Sequence, residues 1–151
     1  MFKYTIKSKI YGDAILNECV SSAAVKPGYL VELATVSGAD ALKPHASAGG
    51  FGLHLVALED SMVGKTVEDE YASGANVKYI EGRAGDEFYM VLKASENVAK
   101  FDMLASAGNG KLAKATSGNV ALFQALEASN VAEDALVLVK VINPATIPAA
   151  S

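Results

Sequence analysis

The chain has 151 residues, of which 51% are hydrophobic and 20% charged, with a formal net charge of −4 at pH 7. A chain of this length and apolar content fits one globular domain, which excludes an intrinsically disordered protein. The mild acidity is spread along the chain without long runs. It excludes the basic surface that direct nucleic-acid binding needs.

The first ten residues, MFKYTIKSKI, alternate between apolar and polar side chains. This period-2 pattern indicates a half-exposed strand, and the segment lacks the apolar core of a signal peptide. No apolar run in the chain approaches the roughly 18 residues that span a bilayer, so we expect no membrane segment. We therefore expect a protein that is made and used without export.

Short apolar runs separated by glycine- or proline-bearing turns indicate strands over most of the remaining chain. They are YLVEL (29–33), FGLHLVAL (51–58), ANVKYI (75–80), EFYMVLKA (87–94) and ALVLVKVI (135–142). The nearly uninterrupted apolar run 135–142 predicts a strand buried on both faces. The segment NVALFQALEAS (119–129) would also suit a short helix. Its glycine-flanked counterpart at 52–61 is poor helix material, and we assign both as strands.

Two polar connections that contain glycine predict hairpins. Residues 81–86 separate the strands 75–80 and 87–94. Asn109-Gly110 separates two short apolar stretches of DMLASAGNGKLAKA, and this dipeptide is the strongest short-range hairpin pattern.

The order of these elements occurs twice. VKPGYLVEL (25–33) matches VAKFDMLAS (98–106), LHLVALEDS (53–61) matches ALFQALEAS (121–129), and VKYI (77–80) matches VKVI (139–142). Neither unit would bury its apolar faces alone, so we expect each to complete the core of the other.

The repeat predicts an all-β fold, or a β-rich fold with short helical turns. We expect a compact barrel or sandwich built from two similar β units, about 25–80 and 98–142, within a single domain 1–142. The remaining NPATIPAAS (143–151) is a Pro/Ala-rich tail that cannot continue a sheet ladder.

Residues able to support catalysis do not form a convincing set. His45 and His54 are the only histidines, and no cysteine or carboxylate stands at zinc-ligand spacing around them. Cys19 lies among apolar and small residues, which favours a buried, inert thiol over a reactive nucleophile. VGKT (63–66) lacks the glycine that opens a phosphate-binding loop, because Glu59 stands there. We expect no enzyme activity, no catalytic residues and no cofactor.

A cluster of acidic residues follows the strand 51–58. Its members are Glu59, Asp60, Glu68, Asp69 and Glu70. Hard cations such as Ca²⁺ need several carboxylates, but this spacing fits no EF-hand loop. The pattern therefore favours a solvated acidic loop, and we expect no metal.

Nine positions of the second unit carry a family resemblance. They are Asp102, Leu104, Gly110, Leu112, Ala125, Leu126, Glu127, Val139 and Val141. A strand leading into F-D-x-L is followed by a turn with G-x-L, an A-L-E-A strand and a terminal V-x-V strand. Over residues 25–142 the chain resembles the head decoration, or capsid cement, proteins of tailed bacteriophages. The first unit departs from the pattern, with Tyr29 in place of the aspartate.

The resemblance implies a structural virion protein, a homotrimer that binds the outer surface of the expanded phage capsid. Its implied work is to stabilise the shell against internal DNA pressure. The implied partner is the major capsid protein, with no direct nucleic acid and no membrane. The implied location is the capsid surface, after synthesis in the host cytoplasm.

The N-terminal strand has two interpretations beside this resemblance. It is either the first strand of the barrel or an arm that adds to a sheet edge of the capsid. The capsid-binding residues of such an arm are Phe2, Lys3, Tyr4, Thr5, Ile6 and Lys7. Two other functions stay open: another β-rich virion component, such as a tail tube or fibre base, and a small-ligand or sugar-binding β module. The last of these predicts a pocket with convergent polar groups.

Overall fold

The computed structural model describes residues 8–12 and 15–149. Within them the regular structure is β-strand, apart from one short 3-10 turn at Ser61–Val63. The all-β class expected from the sequence is confirmed. In this part of the chain, no helix is long and apolar enough to cross a bilayer.

The strands of the first half are β1 (Lys9–Tyr11), β2 (Leu16–Val20), β3 (Leu30–Val36), β4 (Ala39–Pro44), β5 (Leu55–Ala57) and β6 (Asn76–Glu81). Those of the second half are β7 (Glu87–Leu92), β8 (Asn97–Val98), β9 (Met103–Gly108), β10 (Lys111–Lys114), β11 (Val120–Ala125), β12 (Ser129–Asn130) and β13 (Ala135–Thr146).

Five strands of the first half form an antiparallel sheet in the order β2-β6-β5-β3-β4. Its two outer strands come together through a parallel bridge between Ser21 and Leu42. The backbone N–H of Ser22 donates to the Leu42 carbonyl at 2.8 Å and strengthens this closure. The sheet is thereby curled into a small barrel, which we call the first barrel.

The second sheet closes in the same way. Its strands follow the order β7-β13-β11-β9-β10, and β10 returns to β7 through a parallel pairing of Leu112 with Leu92. We call this the second barrel. β1 adds to the outside of β7, and β8 pairs with β12 in a separate two-stranded ribbon.

The two barrels have the same connectivity. β2, β3, β4, β5 and β6 correspond in order to β7, β9, β10, β11 and β13. The turns agree in detail, since the N–H of Tyr29 donates to Lys26 O at 3.0 Å and that of Asp102 donates to Ala99 O at 3.1 Å. The correspondence begins at β2 and β7, ahead of the repeat seen in the sequence. A duplicated origin stays a prediction.

One hydrophobic cluster holds both barrels together. It fills the second barrel with fully buried side chains such as Phe88, Phe123 and Leu104. It also includes three residues from the outer side of the first barrel: Leu30, Val56 and Ile80. A smaller cluster, centred on Val31, Leu42 and Val77, fills the first barrel.

Some of the sequence predictions are confirmed. Asn109-Gly110 joins β9 and β10 as a hairpin, with φ of 55° and 78°. These left-handed angles are those of a type I′ turn, whose twist matches that of the flanking strands. The segment 119–129 contains β11 and no helix, as assigned. The predicted strand 51–58 is shorter than expected, because only Leu55–Ala57 pairs as β5.

The predicted hairpin of 75–80 with 87–94 is wrong. β6 pairs with β2 and β5 in the first barrel, whereas β7 lies in the second barrel. Both edges of β6 are already hydrogen-bonded, so β7 has no edge there to join. The connection 81–86 therefore links the two barrels.

Two expectations about the last strand are also wrong. β13 is buried on one face only, because Val137, Val139 and Val141 are buried while the residues between them are partly exposed. The ladder also continues into the Pro/Ala-rich segment, where Ala145 and Thr146 pair with β11. A register shift leaves Pro144, which has no N–H to donate, outside the regular pairing.

Candidate functional site

The predicted capsid-binding arm, Phe2 to Lys7, lies outside the described residues. The end of the same segment forms β1, in which Lys9 pairs with Phe88 and Tyr11 with Glu87. Ser8 is fully buried, and its N–H donates to the Glu59 carboxylate at 3.1 Å. The segment thus reaches the second barrel at β7.

His45 lies between the barrels and is 2% exposed. Its Nδ1 is 2.7 Å from the hydroxyl of Ser106, and its Nε2 is 3.0 Å from the carbonyl oxygen of Phe51. A carbonyl can only accept, so Nε2 carries the proton and Nδ1 accepts from the Ser106 hydroxyl. This hydrogen-bonded chain crosses from the residue that follows β4 to Ser106 on β9 and ties the two barrels.

A Glu32 carboxylate oxygen is 3.8 Å from the same Nε2, so serine, histidine and glutamate come together here. The set does not have the geometry of a catalytic triad, because Nε2 is already bonded to a main-chain carbonyl. The Ser106 side chain is 3% exposed and also accepts from the N–H of Gly108. A hydroxyl held in this way cannot reach a substrate, so the contact is structural.

His54 is half-buried on the other side of the barrel contact. Its Nε2 donates to the Leu122 carbonyl at 3.0 Å, and its ring meets Phe123 edge-on at 5.3 Å between centroids. Burial lowers the pKa of His54 below its ordinary value, and hydrogen bonds to main-chain carbonyls oppose this only in part. His54 is therefore a neutral packing residue.

The acidic segment around Asp60 makes local contacts. The Asp69 carboxylate accepts from the N–H of Thr66 at 2.7 Å, which holds the pKa of Asp69 below its ordinary value. Among residues 8–12 and 15–149, no group of three or more histidines, cysteines or carboxylates is placed to hold a metal ion. VGKT follows the 3-10 turn, with Gly64 as its left-handed end.

Cys19 lies at the margin of the first barrel's core and is only partly buried. Burial, followed by the nearby Asp40 carboxylate, raises the pKa of the thiol. A raised pKa leaves little thiolate at neutral pH, which does not favour a nucleophile.

One end of the first barrel exposes apolar side chains. Around it Ile15 is 75% exposed, Leu33 52% and Leu53 51%. The exposed Glu81 stands among them, and we call these four residues the open end. A shallow cavity of about 390 Å³ lies beside it, lined by Ile15, Asn17, Glu81, Gly82 and Arg83.

The corresponding end of the second barrel is covered. Its Phe88 and Val141 side chains pack so closely against Gly82 that a Cβ there would come within 2.8 and 2.9 Å of them. His54 covers Phe123 beside them. The first barrel therefore covers this end of the second barrel. Among the described residues, nothing covers the corresponding end of the first barrel.

The match between the last strands of the two units, as read from the sequence, is misaligned. Ala57 pairs with Tyr79, and Ala125 pairs with Val139, so Tyr79 corresponds to Val139. The match of VKYI with VKVI is therefore displaced by two residues. In the correct register Val141 is the counterpart of Glu81. The open end therefore carries a charged residue where the covered end carries a valine, and a match of identical letters does not show this difference.

No protein-family model and no curated protein matches the chain. The crystal structure of the head fiber gp8.5 N base in bacteriophage phi29 is similar, with a TM-score of 0.59 at 11% sequence identity. The similarity covers 85% of this chain and 94% of that chain. It shows that the two share a fold over nearly their whole lengths.

Proposed function

We propose that this chain is a structural virion protein that binds the outer surface of an expanded phage capsid and stabilises it. The observation that carries the proposal is the fold shared with a phage head fibre base over 94% of that chain. The decoration-protein pattern of Asp102, Gly110, Leu112 and Glu127 supports the same conclusion from the sequence. In this proposal the chain acts as a homotrimer with the major capsid protein as its partner.

The architecture suits a mechanical task. A protein that bridges neighbouring capsid subunits must resist deformation, and the two barrels here share one close-packed core. The buried chain from Ser106 through His45 to Phe51 adds polar links across the same contact. Force applied to one barrel is therefore transmitted to the other through packed side chains, without a flexible linker.

The capsid contact in this proposal is the N-terminal arm, Phe2 to Lys7. Its alternating pattern suits addition to an exposed sheet edge, where main-chain hydrogen bonds supply affinity. Its lysines would complement acidic groups on the shell. Because β1 holds the following residues on β7, the arm begins at a fixed point of the second barrel.

The test is sedimentation of the purified protein with expanded and unexpanded heads of its phage. Binding to expanded heads, with greater resistance of those heads to heat or osmotic shock, is the expected result. Deletion of Met1–Lys7 should abolish binding, whereas replacement of the exposed Lys65, which lies outside the arm, by alanine should not. Heads that neither bind the full chain nor gain stability would refute the proposal.

A second candidate function is the base of a head fibre, which the shared fold with the phi29 head fiber base favours. Both functions place the chain on the head, but they differ in what the particle carries. Electron microscopy of virions labelled with antibody against this chain distinguishes them. Compact knobs spread over the shell indicate decoration, and label at the root of projecting fibres indicates a fibre base.

A further inference from the structure

The outer sides of the two barrels carry corresponding rows of residues. In the first barrel the cross-strand row is Leu30, Val56 and Ile80. In the second barrel, strand for strand, it is Met103, Gln124 and Lys140. The first row is buried against the covered end of the second barrel, whereas the second row faces outward and is partly exposed. We call the second row the lateral face.

Each surface of the contact within the chain thus has a counterpart that no residue in the described part of the chain covers. The covered end of the second barrel corresponds to the open end of the first, and the buried row corresponds to the lateral face. We propose that the open end of one copy seats on the lateral face of another copy, repeating between chains the contact that joins the barrels within a chain.

The charges of the two surfaces support a second copy of the chain as the occupant. In the internal contact Ile80 and Val141 lie in one buried cluster. Their counterparts are Lys140 on the lateral face and Glu81 at the open end. Neither forms an ion pair with another residue in the described part of the chain. Two apolar residues of the internal contact are thus replaced by two unlike charges, which attract each other across an interface.

The apolar residues of the two surfaces also complement each other. The open end offers Ile15, Leu33 and Leu53, each more than half exposed. On the lateral face Met103 is 37% exposed, and beside it Phe101 is 57% exposed. Aromatic and methionine side chains are enriched at such interfaces, where a ring anchors in an apolar pocket.

The contact is heterologous, because it joins two different surfaces. Copies therefore add head to tail, and a ring forms when the rotation closes. The number of copies in that ring is three only if the proposed trimer is correct. Only the number of copies, and not the interface itself, rests on the proposed function.

The first experiment is charge reversal, read by native mass spectrometry and sedimentation velocity. Glu81→Lys and Lys140→Glu should each raise the dissociation constant of the oligomer by about tenfold or more, since like charges then meet. The double variant Glu81→Lys/Lys140→Glu should restore assembly. Lys93→Glu, at the far end of β7, is the matched control and should assemble like the wild type. Equal urea midpoints for all four show that each one folds.

A disulfide trap tests the same pairing without relying on affinity. In a Cys19→Ser background, Glu81→Cys/Lys140→Cys should give a ladder of linked chains under oxidation, and each single cysteine should give none. A monomer at every micromolar concentration, or an oligomer that both reversals leave intact, overturns the interface. Loss of assembly in the single variants without rescue by the double variant, or absence of the ladder of linked chains, also overturns the interface. Failure of head binding in an oligomer that passes both tests refutes only the proposed function.

Discussion

Gly28 and Phe101 occupy the same turn in the two barrels, with φ of 89° and 75°. The N–H of Gly28 donates to Ala57 O, and that of Phe101 donates to Ala125 O, both at 2.8 Å. Glycine is needed in the first barrel because a Cβ there would lie 3.1 Å from the main-chain oxygen of Tyr89. A phenylalanine in this left-handed region is strained by about 1–2 kcal/mol.

Replacing Phe101 by glycine should therefore change the free energy of unfolding by less than about 1 kcal/mol, because relief of strain offsets the added freedom of the unfolded chain. Gly28→Ala should lower the free energy of unfolding by about 1–3 kcal/mol, because an alanine there is strained by the left-handed angle and its Cβ contacts the Tyr89 backbone. Urea unfolding of both variants checks the difference. If Phe101 anchors the proposed interface, Phe101→Gly should also weaken self-association. A large loss of stability in Phe101→Gly would show that its side chain supports the fold.

Gly110 and Gly38 offer a matched pair in the two hairpin turns, with φ of 78° and 80°. A Cβ on Gly38 would meet nothing within 4 Å, whereas one on Gly110 would lie 2.7 Å from the Tyr29 ring. Alanine at Gly38 should cost about 1 kcal/mol, from backbone strain alone. Alanine at Gly110 should cost about 1–3 kcal/mol more, because the barrels would be pushed apart. Equal losses in thermal or urea unfolding would contradict the close packing of this turn against the first barrel.

The hydrogen bond of Ser106 with His45 should be measurable as stability. Ser106→Ala leaves Nδ1 of the buried His45 without a donor and the N–H of Gly108 without its acceptor. Unsatisfied buried groups of this kind cost about 1–3 kcal/mol. The free energy of unfolding should fall by that amount in urea titration. Ser117→Ala, an exposed serine of a turn, is the control and should change stability by less than about 0.5 kcal/mol.

The strands were largely predictable from the sequence, because period-2 alternation and turn residues act locally. Asn109-Gly110 identifies its hairpin because asparagine and glycine readily adopt the left-handed angles of a type I′ turn. The glycine-bearing connection 81–86 gave a wrong hairpin prediction, because a local turn does not show which sheet the next strand joins. Pairing partners are decided by free edges and shared burial, and both arise only when the two barrels assemble.

The candidate surfaces were not predictable for a related reason. The interface role proposed for Glu81 and Lys140 follows from their correspondence to Val141 and Ile80. That correspondence is known only from the hydrogen-bond register. A shift of two residues keeps every side chain on the same face of a strand. The sequence match of VKYI with VKVI therefore agrees with the alternation of the strands, although it aligns the wrong residues. Exposure of Leu33 likewise depends on what covers the barrel end, which the alternation of the strand does not encode.

The buried environment of His54 predicts a pH dependence of stability. Burial lowers the pKa of His54 in the folded protein, whereas the unfolded chain titrates near the ordinary value of 6.5. Below that value the unfolded chain binds a proton that the folded protein excludes. The free energy of unfolding should therefore be highest above pH 6.5 and should decrease as the pH falls through the lowered pKa of the folded state.

His54→Gln isolates this contribution. A glutamine amide can still donate to the Leu122 carbonyl, but it does not titrate, so the variant should lose less stability than the wild type between about pH 7.5 and 5.5. The carboxylates with lowered pKa values, among them Asp69 and Asp102, titrate below this window and affect both proteins alike. Urea midpoints measured at several pH values give the comparison. Parallel curves for the two proteins would mean that His54 is solvated rather than packed against Phe123.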